Sequence, residues 1–411
     1  MPNMTEPLPT QLLGGPPAAV GGESLADHRA RFGPLRPRPD LLLLLEQAGL
    51  RGRGGGSFPV ARKWQSVAGR AGGDARLLVN GAEGDPLSHK DNTLMAVRPH
   101  LVLDGAEMAA TAVGATEIVV YVGARHAAAR RSLARALAER HGHWRAQRTP
   151  ARLVIAPDAY VAGEESAAVH FVNDGDARPT TTPPRPYLRG LAGRPTLVHN
   201  VETLARAALI GHAGDAATAE TVAGQTLVTV TAASGRAVVE AGPQTSVAAL
   251  AARLGVDIGA TQAVLLGGYF GRWTTPITAW SLPIDGKAVH AAGLTLGSGM
   301  VSFCGRSECG VALTARMIDY LAGQSAAQCG PCVFGLRAVA DTLRAVAGLR
   351  AGRDDLARLE RWRGQLFGRG ACHHPDGAAA LLGSAMVTFG DDFDAHVRRR
   401  RCQARLSPVA A

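Results

Sequence analysis

Arg51-Gly52-Arg53-Gly54-Gly55-Gly56-Ser57-Phe58-Pro59 sets four glycines within five positions, and Lys63-Trp64 follows. Glycine loses the most backbone freedom on ordering, so such a run is neither a stable helix nor a stable strand. It suits a loop whose backbone comes close to a ligand. Bare N–H groups in such a loop form a concave anion site, and a helix N-terminus behind it adds to the field. Arg53 and Lys63 bring positive charge to the same place. The chemical reading is a cradle for a phosphate-bearing cofactor. The bland reading is a flexible surface loop. The run matches neither the three spaced glycines of the dinucleotide fingerprint nor the Gly-Lys-Ser/Thr phosphate loop.

The surroundings of the loop point to a parallel sheet. Residues 40–49 read as a leucine-rich helix leading into it. Ala75–Asn80 is a short apolar run that stops at the polar cluster Asn80–Pro86, as a buried strand would. His89-Lys90-Asp91 come next. Residues 93–114 have a helical pattern, Glu117–Val122 reads as a strand, 125–141 as an Ala/Arg-rich helix and Arg152–Ala156 as another strand. Strands alternating with helices imply a parallel sheet covered on both faces, with ligands at the carboxyl ends of its strands. Two more polar clusters, Tyr160–Ser166 and Pro195–Thr203, flank a proline-rich segment at Arg178–Pro186. Together the clusters suggest one site assembled from several loops.

Outside this region the character changes. Residues 1–25 are Pro/Gly-rich and read as disordered. Residues 222–290 read as a small α+β module, with strands at Thr226–Val230 and Ala237–Glu240, a helix near 245–254 and a strand at Ala263–Leu266. From residue 307 onward the pattern is helical, and Arg398–Arg401 begins a basic, solvated tail.

The chain has 411 residues, enough for two or three domains, and its 46% hydrophobic content fills several cores. No apolar run is long enough to span a bilayer, and the N-terminus lacks a signal-peptide pattern, so a cytoplasmic protein is expected, at most peripheral to a membrane complex. The net charge of +10 comes from dispersed arginines, and aromatics are only 5%, which argues against nucleic acid. The sequence has three lysines, Lys63, Lys90 and Lys287. The first two fall in the segments singled out above.

Six cysteines all lie beyond residue 300. A cytosolic protein rarely pairs cysteines as disulfides, so the clustering reads as a metal or cluster site. Cys329 and Cys332 form a C-x2-C pair, and Cys372 is followed by His373 and His374. Three readings stay open on spacing alone: an iron–sulfur cluster, a Cys3His zinc site, and a thioredoxin-like redox pair. Cys304, Cys309 and Cys402 read as bystanders, with Cys309 near enough to be considered as a ligand.

Taken together, these segments resemble the flavin-bearing, NADH-oxidising subunit of respiratory complex I (the 51 kDa or F subunit) and its relatives in NAD-reducing hydrogenases and formate dehydrogenases. The resemblance runs in order from residue 40 to 395. It is carried by Leu50–Pro59 with Lys63-Trp64, by Asn80–Pro86 with Lys90-Asp91, by Gly163–Ser166, and by Val198–Thr203. It implies a Rossmann-like α/β domain holding FMN over residues 26–215, a ubiquitin-like α+β (SLBB) module over 222–292, and a C-terminal helical bundle over 297–397 carrying a [4Fe-4S] cluster, with a tail at 398–411. The flavin contacts it implies are Gly52, Arg53, Gly54, Lys63, Asn80, Gly163, Glu164, Glu165 and Asn200, with Glu83 and His199 in the same segments. For Glu164 and Glu165 the bland alternative is a solvated surface pair.

The departures are as informative. The family's first cluster cysteine is Ala326 here. Cys329, Cys332 and Cys372 remain, which leaves three outcomes: a fourth ligand from His373, His374, Cys309 or water, a [3Fe-4S] centre, or no cluster. The aspartate facing the flavin is Ala82, and the first asparagine before the last glutamate motif is His199. On the dinucleotide side Phe58 is kept. An adenine-stacking phenylalanine is Ser66, a Lys-Pro-Pro-Phe motif reads Thr182-Pro183-Pro184-Arg185, and the ribose-binding glutamate is the shorter Asp85. One lost aromatic stack removes about 0.5–1.5 kcal/mol beyond area burial. The expected protein is therefore a flavin and iron–sulfur oxidoreductase in a hetero-oligomer, using NAD(P)H and feeding a ferredoxin-like or quinone-reductase partner. The alternatives are an FMN/iron–sulfur carrier that has lost NADH binding and is fed by ferredoxin, and a zinc-stapled structural subunit.

Overall fold

The computed structural model describes residues 11–15, 22–146 and 149–406, which divide into two compact units. The first contains the described residues up to Gly84 together with His89–Leu227. Helices α1 (Leu25–Phe32), α2 (Leu41–Gln47) and α3 (Val60–Ala71) precede strand β1 (Ala75–Gly81). Then come α4 (Lys90–Val97), α5 (Pro99–Val113), β2 (Ala115–Gly123), α6 (Ala127–Glu139), α7 (His141–Ala146), β3 (Ala151–Ala156), α8 (Glu165–Asp174), β4 (Thr196–Asn200), α9 (Val201–Ala213) and α10 (Ala216–Gly224).

The four strands lie in the order β3-β2-β1-β4, and every pairing is parallel. Alternation sends Leu78, Val119, Tyr121 and Val198 to one face, where Ala168 and Val169 of α8 cover them. Leu77 and Val79 are equally buried, and α5 packs against β1 and β2. This is the two-sided cover expected of a parallel sheet. In α5 Gly105 permits a close helix crossing, because a Cβ there would stand 1.9 Å from the Leu204 carbonyl oxygen of α9. The helical pattern over 93–114 is two helices. Pro99 opens the second, where its missing N–H costs nothing, and it forces Arg98 out of helical geometry, at φ −128° and ψ 56°.

The second unit holds Asp85–Ser88 and the chain from Val228 onward. Its elements are β5 (Thr226–Ala232), β6 (Gly235–Ala241), α11 (Val247–Ala252), β7 (Thr261–Leu266), β8 (Arg272–Thr274), α12 (Pro276–Ala279), α13 (Gly286–Ala291), β9 (Met300–Gly305), α14 (Gly310–Gly323), α15 (Arg337–Ala347), α16 (Asp355–Leu366), α17 (His374–Thr388) and α18 (Gly390–Arg398). The sheet order is β6-β5-β9-β7-β8, with β5 and β9 parallel and β9 antiparallel to β7. The sequence boundary expected between 292 and 297 thus falls short of the sheet's central strand, β9. Val228, Val230, Leu250, Val264, Leu266, Val301 and Phe303 form the sheet's core. Helices α14 to α18 make the C-terminal bundle. Val339, Ala340, Leu343 and Val346 of α15 are buried along one stripe, as a 3.6-residue period requires.

Most of the expected disorder over residues 1–25 concerns residues 1–10 and 16–21, which lie outside those described. Leu12 and Glu23 are buried. The basic run Arg398–Arg401 is followed by a buried Cys402. No helix among the described residues is long and apolar enough to cross a membrane.

Candidate functional site

The chain leaves β1 for β2 and β3 on one side, then returns to β4 on the other. This reversal opens a crevice at the carboxyl ends of β1 and β4, where open α/β sheets bind ligands. Asn200 ends β4, Asn80 is the last residue but one of β1, and the two are register partners. Asn80 Nδ2 donates to the Gly163 carbonyl at 2.8 Å, and its Oδ1 accepts from Ala82 N at 3.2 Å. Asn200 Oδ1 accepts from Glu202 N at 2.9 Å and caps α9, while its Nδ2 donates to Asp91 Oδ2 at 2.7 Å.

The glycine loop closes on itself beside this crevice. Gly52 N donates to the Phe58 carbonyl at 2.9 Å, and Val60 N to the Leu50 carbonyl at 3.0 Å. Gly54 sits against Asn200, since a Cβ at position 54 would lie 3.2 Å from the Asn200 Cβ. At Gly163 a Cβ would be 2.6 Å from the Ala82 carbonyl oxygen. Two glycines therefore let the loops after α2, β1 and β3 meet the end of β4. Helix α3 starts directly behind the glycine loop, and its N-cap, Pro59, supplies no capping side chain. An uncapped helix start is the anion-friendly end.

Lys63 is half-buried and holds Glu165 Oε2 at 3.1 Å, and Arg185 approaches Glu165 Oε1 at 3.5 Å. Glu164 is half-buried, and its carboxylate caps α8, accepting from Ser166 N at 2.9 Å and Ala167 N at 3.0 Å. His199 is buried beside the edge of Trp64, with ring centroids 6.2 Å apart. Burial, and then the Lys63 charge, hold its imidazole well below the usual histidine range. Its Nε2 has no hydrogen-bond partner among the described residues. Phe58 is 56% exposed.

Three expected site residues are placed differently. The Arg53 guanidinium does not join Lys63. It is buried and donates to the Ala223 carbonyl at 2.5 Å, and burial lowers its pKa to about 10 against the pull of Glu202. Only its backbone stays with the loop, donating to Thr203 Oγ1 at 2.8 Å. Glu83 caps α4, accepting from Asp91 N at 3.2 Å and Asn92 N at 3.0 Å. Asp85 belongs to the second unit, where its carboxylate accepts from Leu87 N at 3.0 Å and Tyr269 N at 2.7 Å.

Beneath the crevice lies a buried charge network that motif reading missed. Lys90 Nζ reaches Asp91 Oδ1 at 2.7 Å and Glu202 Oε2 at 2.9 Å. Glu202 Oε1 also accepts from Arg206 Nε at 3.0 Å and Leu227 N at 2.8 Å. Burial opposes the charge on Lys90, but Asp91, Glu202 and Glu83 outweigh it and raise the pKa. The sequence points to Lys90, Asp91 and Glu202 only separately, through the scarcity of lysine and the motif segments that contain them.

Buried histidines make this unit acid-sensitive. Burial lowers the pKa of His100, His126 and His199 in the first unit. Unfolded histidine takes up a proton near pH 6.5, so below that pH the unfolded chain binds more protons and stability falls. His28 runs the other way: burial opposes its charge, but Asp104 and Glu23 raise its pKa, so its contribution is present below pH 6.5 and lost at higher pH. Urea midpoints should therefore drop between pH 7 and pH 5, and His199→Asn should flatten the fall in stability over that range by about 1 kcal/mol per pH unit. An unchanged slope would mean that His199 is not held neutral.

In the second unit Cys332 lies in a π-helical turn, Pro331–Leu336, a feature common at functional sites. Burial raises its thiol to about 12, and the neighbouring Cys329 and Cys372 add to that shift. The three expected ligands are thus brought together. Among the described residues, they are not one of the two triads whose ligand atoms lie within 4.8 Å of one another. His374 Nε2 bonds the Leu321 carbonyl at 2.7 Å, and Cys309 belongs to a separate group. His373 is 95% exposed, beside Asp376.

Comparison with known proteins agrees with this layout. Residues 45–208 match the family described as the Nuo51 FMN-binding domain, and 312–396 the NADH-ubiquinone oxidoreductase-F iron-sulfur binding region. The NADH-quinone oxidoreductase F 2 subunit of Rhizobium meliloti (strain 1021) is 30% identical over 88% of this chain and 90% of its own length. The HndC subunit of the NADP-reducing hydrogenase of Solidesulfovibrio fructosivorans is 26% identical over 88% of this chain and 77% of its own. The crystal structure of an NAD+-reducing [NiFe]-hydrogenase in the air-oxidized state superposes with a TM-score of 0.80 at 26% identity, covering 92% of this chain and 68% of that one. The chain belongs to the family of NADH-quinone oxidoreductase F subunits, which are FMN- and iron–sulfur-bearing electron-transfer proteins.

Proposed function

We propose that the protein oxidises NAD(P)H through FMN held at the carboxyl edge of the first unit's sheet, and passes single electrons to a protein partner. That partner is a ferredoxin-like or other electron-transfer subunit of a hetero-oligomer. The observation that carries this reading is the meeting of the glycine loop, Asn80, Gly163 and Asn200 at the β1/β4 crevice, beside Lys63. When bound, FMN links two-electron hydride chemistry to one-electron transfer, and an iron–sulfur centre supplies a one-electron relay.

The residues present fit the flavin. Gly52 and Gly56 meet nothing closer than 3.6 Å where a Cβ would stand, so ligand and backbone have room to approach. Lys63 and the uncapped start of α3 suit anionic groups. The orphaned Nε2 of neutral His199 suits a polar ligand atom, as do Asn80, Glu164, Glu165 and Asn200. Arg53 contributes through its backbone. Cys329, Cys332 and Cys372 would hold the cluster. The segment 222–292 reads as the SLBB-like module, with its sheet completed by β9 from the start of the 297–397 segment, whose helices form the cluster-bearing bundle.

A second reading, a carrier without dinucleotide binding, is favoured by Ser66, whose hydroxyl donates to the Lys63 carbonyl at 2.9 Å and offers no stack, and by Arg185, which is engaged with Glu165. An absorption spectrum of anaerobically purified, cluster-reconstituted protein separates the two. Flavin bands bleached by NADH or NADPH are the expected result. Bands bleached by dithionite alone select the carrier. A colourless protein overturns both and points to a structural subunit.

A further inference from the structure

Cys309 meets His396 and Cys402 from a distant part of the sequence, and the three ligand atoms all lie within 4.8 Å of one another. We propose that this triad binds a zinc-type divalent metal ion, separate from the cluster cysteines. The donor set is two sulfurs and one imidazole nitrogen, which zinc favours.

The geometry is already that of a ligand set. Cys309 Sγ lies 3.5 Å from His396 Nε2. A tetrahedral zinc with bonds of ~2.3 Å to sulfur and ~2.0 Å to nitrogen places those two atoms about 3.5 Å apart. His396 is buried, and its Nδ1 is 3.1 Å from the Val346 carbonyl, an oxygen that can only accept. That bond puts the ring proton on Nδ1 and leaves the Nε2 lone pair aimed at the sulfurs, the usual outer-shell arrangement of a metal-bound histidine. Cys309 is the N-cap of the 14-residue helix α14, and its sulfur accepts from Ala312 N at 3.3 Å. Cys402 reaches the group because the chain turns back after α18. Arg400 takes φ +50°, and Arg401 N donates to the Ala395 carbonyl at 3.2 Å.

Binding converts the half-buried Cys309 thiol and the buried Cys402 thiol to thiolates with release of two protons, and one divalent ion neutralises both charges. The fourth position is left to water. The ion would fasten the segment after α18 to the start of α14. The other triad, His28, Asp104 and His212, does not compare. Both imidazoles turn Nε2 to the same Asp104 oxygen, at 2.8 and 2.7 Å, and Arg140 holds the other oxygen at 2.7 Å, as in a salt-bridge network.

The test is elemental analysis with X-ray absorption at the zinc edge, on full-length protein produced with zinc and never exposed to chelator. About one zinc per chain is expected, with two sulfur neighbours at ~2.3 Å and a nitrogen or oxygen shell at ~2.0 Å. Cys402→Ser should lose the zinc and keep its iron, and Cys332→Ser should do the reverse. The wild-type absorption edge decides the matter even where a variant fails to fold. The proposal is overturned by a zinc-free wild type, by a Cys309–Cys402 disulfide in the mass spectrum, by a zinc shell without sulfur, or by zinc that survives Cys402→Ser and leaves with Cys372→Ser. None of these outcomes depends on whether flavin or dinucleotide binds.

Discussion

Lys90→Met is expected to lower the stability of the first unit by about 3–5 kcal/mol, the cost of leaving a buried partner charge uncompensated. Lys90 is fully buried, and its ammonium lies within 3 Å of both Asp91 and Glu202. Methionine keeps most of the volume, so the loss measures charge rather than a cavity. Without the ammonium, Glu202 keeps Arg206 as a close partner, but Asp91 loses its nearest cation. Burial and the carboxylates of Glu83 and Glu202 already push the Asp91 carboxyl above its usual range, against the pull of Lys90. In the variant it should protonate or move.

Movement would reach the crevice, because Asp91 holds Asn200 Nδ2 and Asn200 caps α9. Flavin retention should therefore fall along with stability. Urea unfolding followed by fluorescence gives the stability change. Adding Asp91→Asn to Lys90→Met should recover part of it, since contacting charges do not act additively. A loss below about 1 kcal/mol for Lys90→Met would show that water or relaxation screens this site.

The sheet was legible because its strands are short apolar runs that each end at polar residues. Ala75–Asn80 and Arg152–Ala156 differ from the observed strands by a single residue each. The loop clusters were legible for the same reason: a parallel sheet delivers strand ends to one edge. What the sequence hid depends on long-range partners. Arg53 in a glycine loop looks like a ligand-facing cation until Glu202 and Ala223, far along the chain, draw it inward. Strand β9 pairs with β5 and β7, and nothing local in Met300–Gly305 announces a central strand. Asp85 follows β1 with the other polar residues but bonds Tyr269, which no spacing argument could reveal. Cys309 and Cys402 looked like bystanders because their convergence requires the turn after α18.

Cys332→Ser is expected to abolish iron binding, and Ala326→Cys to change the kind of cluster that forms. Burial keeps the Cys332 thiol protonated, with a pKa near 12, and Cys329 and Cys372 make a lone thiolate costlier still. Cluster iron supplies the positive charge that lets all three ionise together. Removing Cys332, in the middle of that charge distribution, leaves two thiolates where an iron–sulfur cluster wants four ligands. Serine is close in size, so the bundle should persist, and an unchanged circular dichroism spectrum would show it. Ala326 stands three residues before Cys329, which restores a C-x2-C-x2-C spacing when it becomes cysteine. Wild-type protein with three thiolates should hold about three irons and be paramagnetic when oxidised, whereas Ala326→Cys should hold about four and be paramagnetic when reduced. Iron analysis and electron paramagnetic resonance before and after dithionite read both changes. Should wild-type protein already contain the four-iron form, an added ligand is at work, and exposed His373 beside Cys372 is the residue to remove next, since His374 is held by the Leu321 carbonyl. Full iron content in Cys332→Ser would refute the assignment of this cysteine as a ligand.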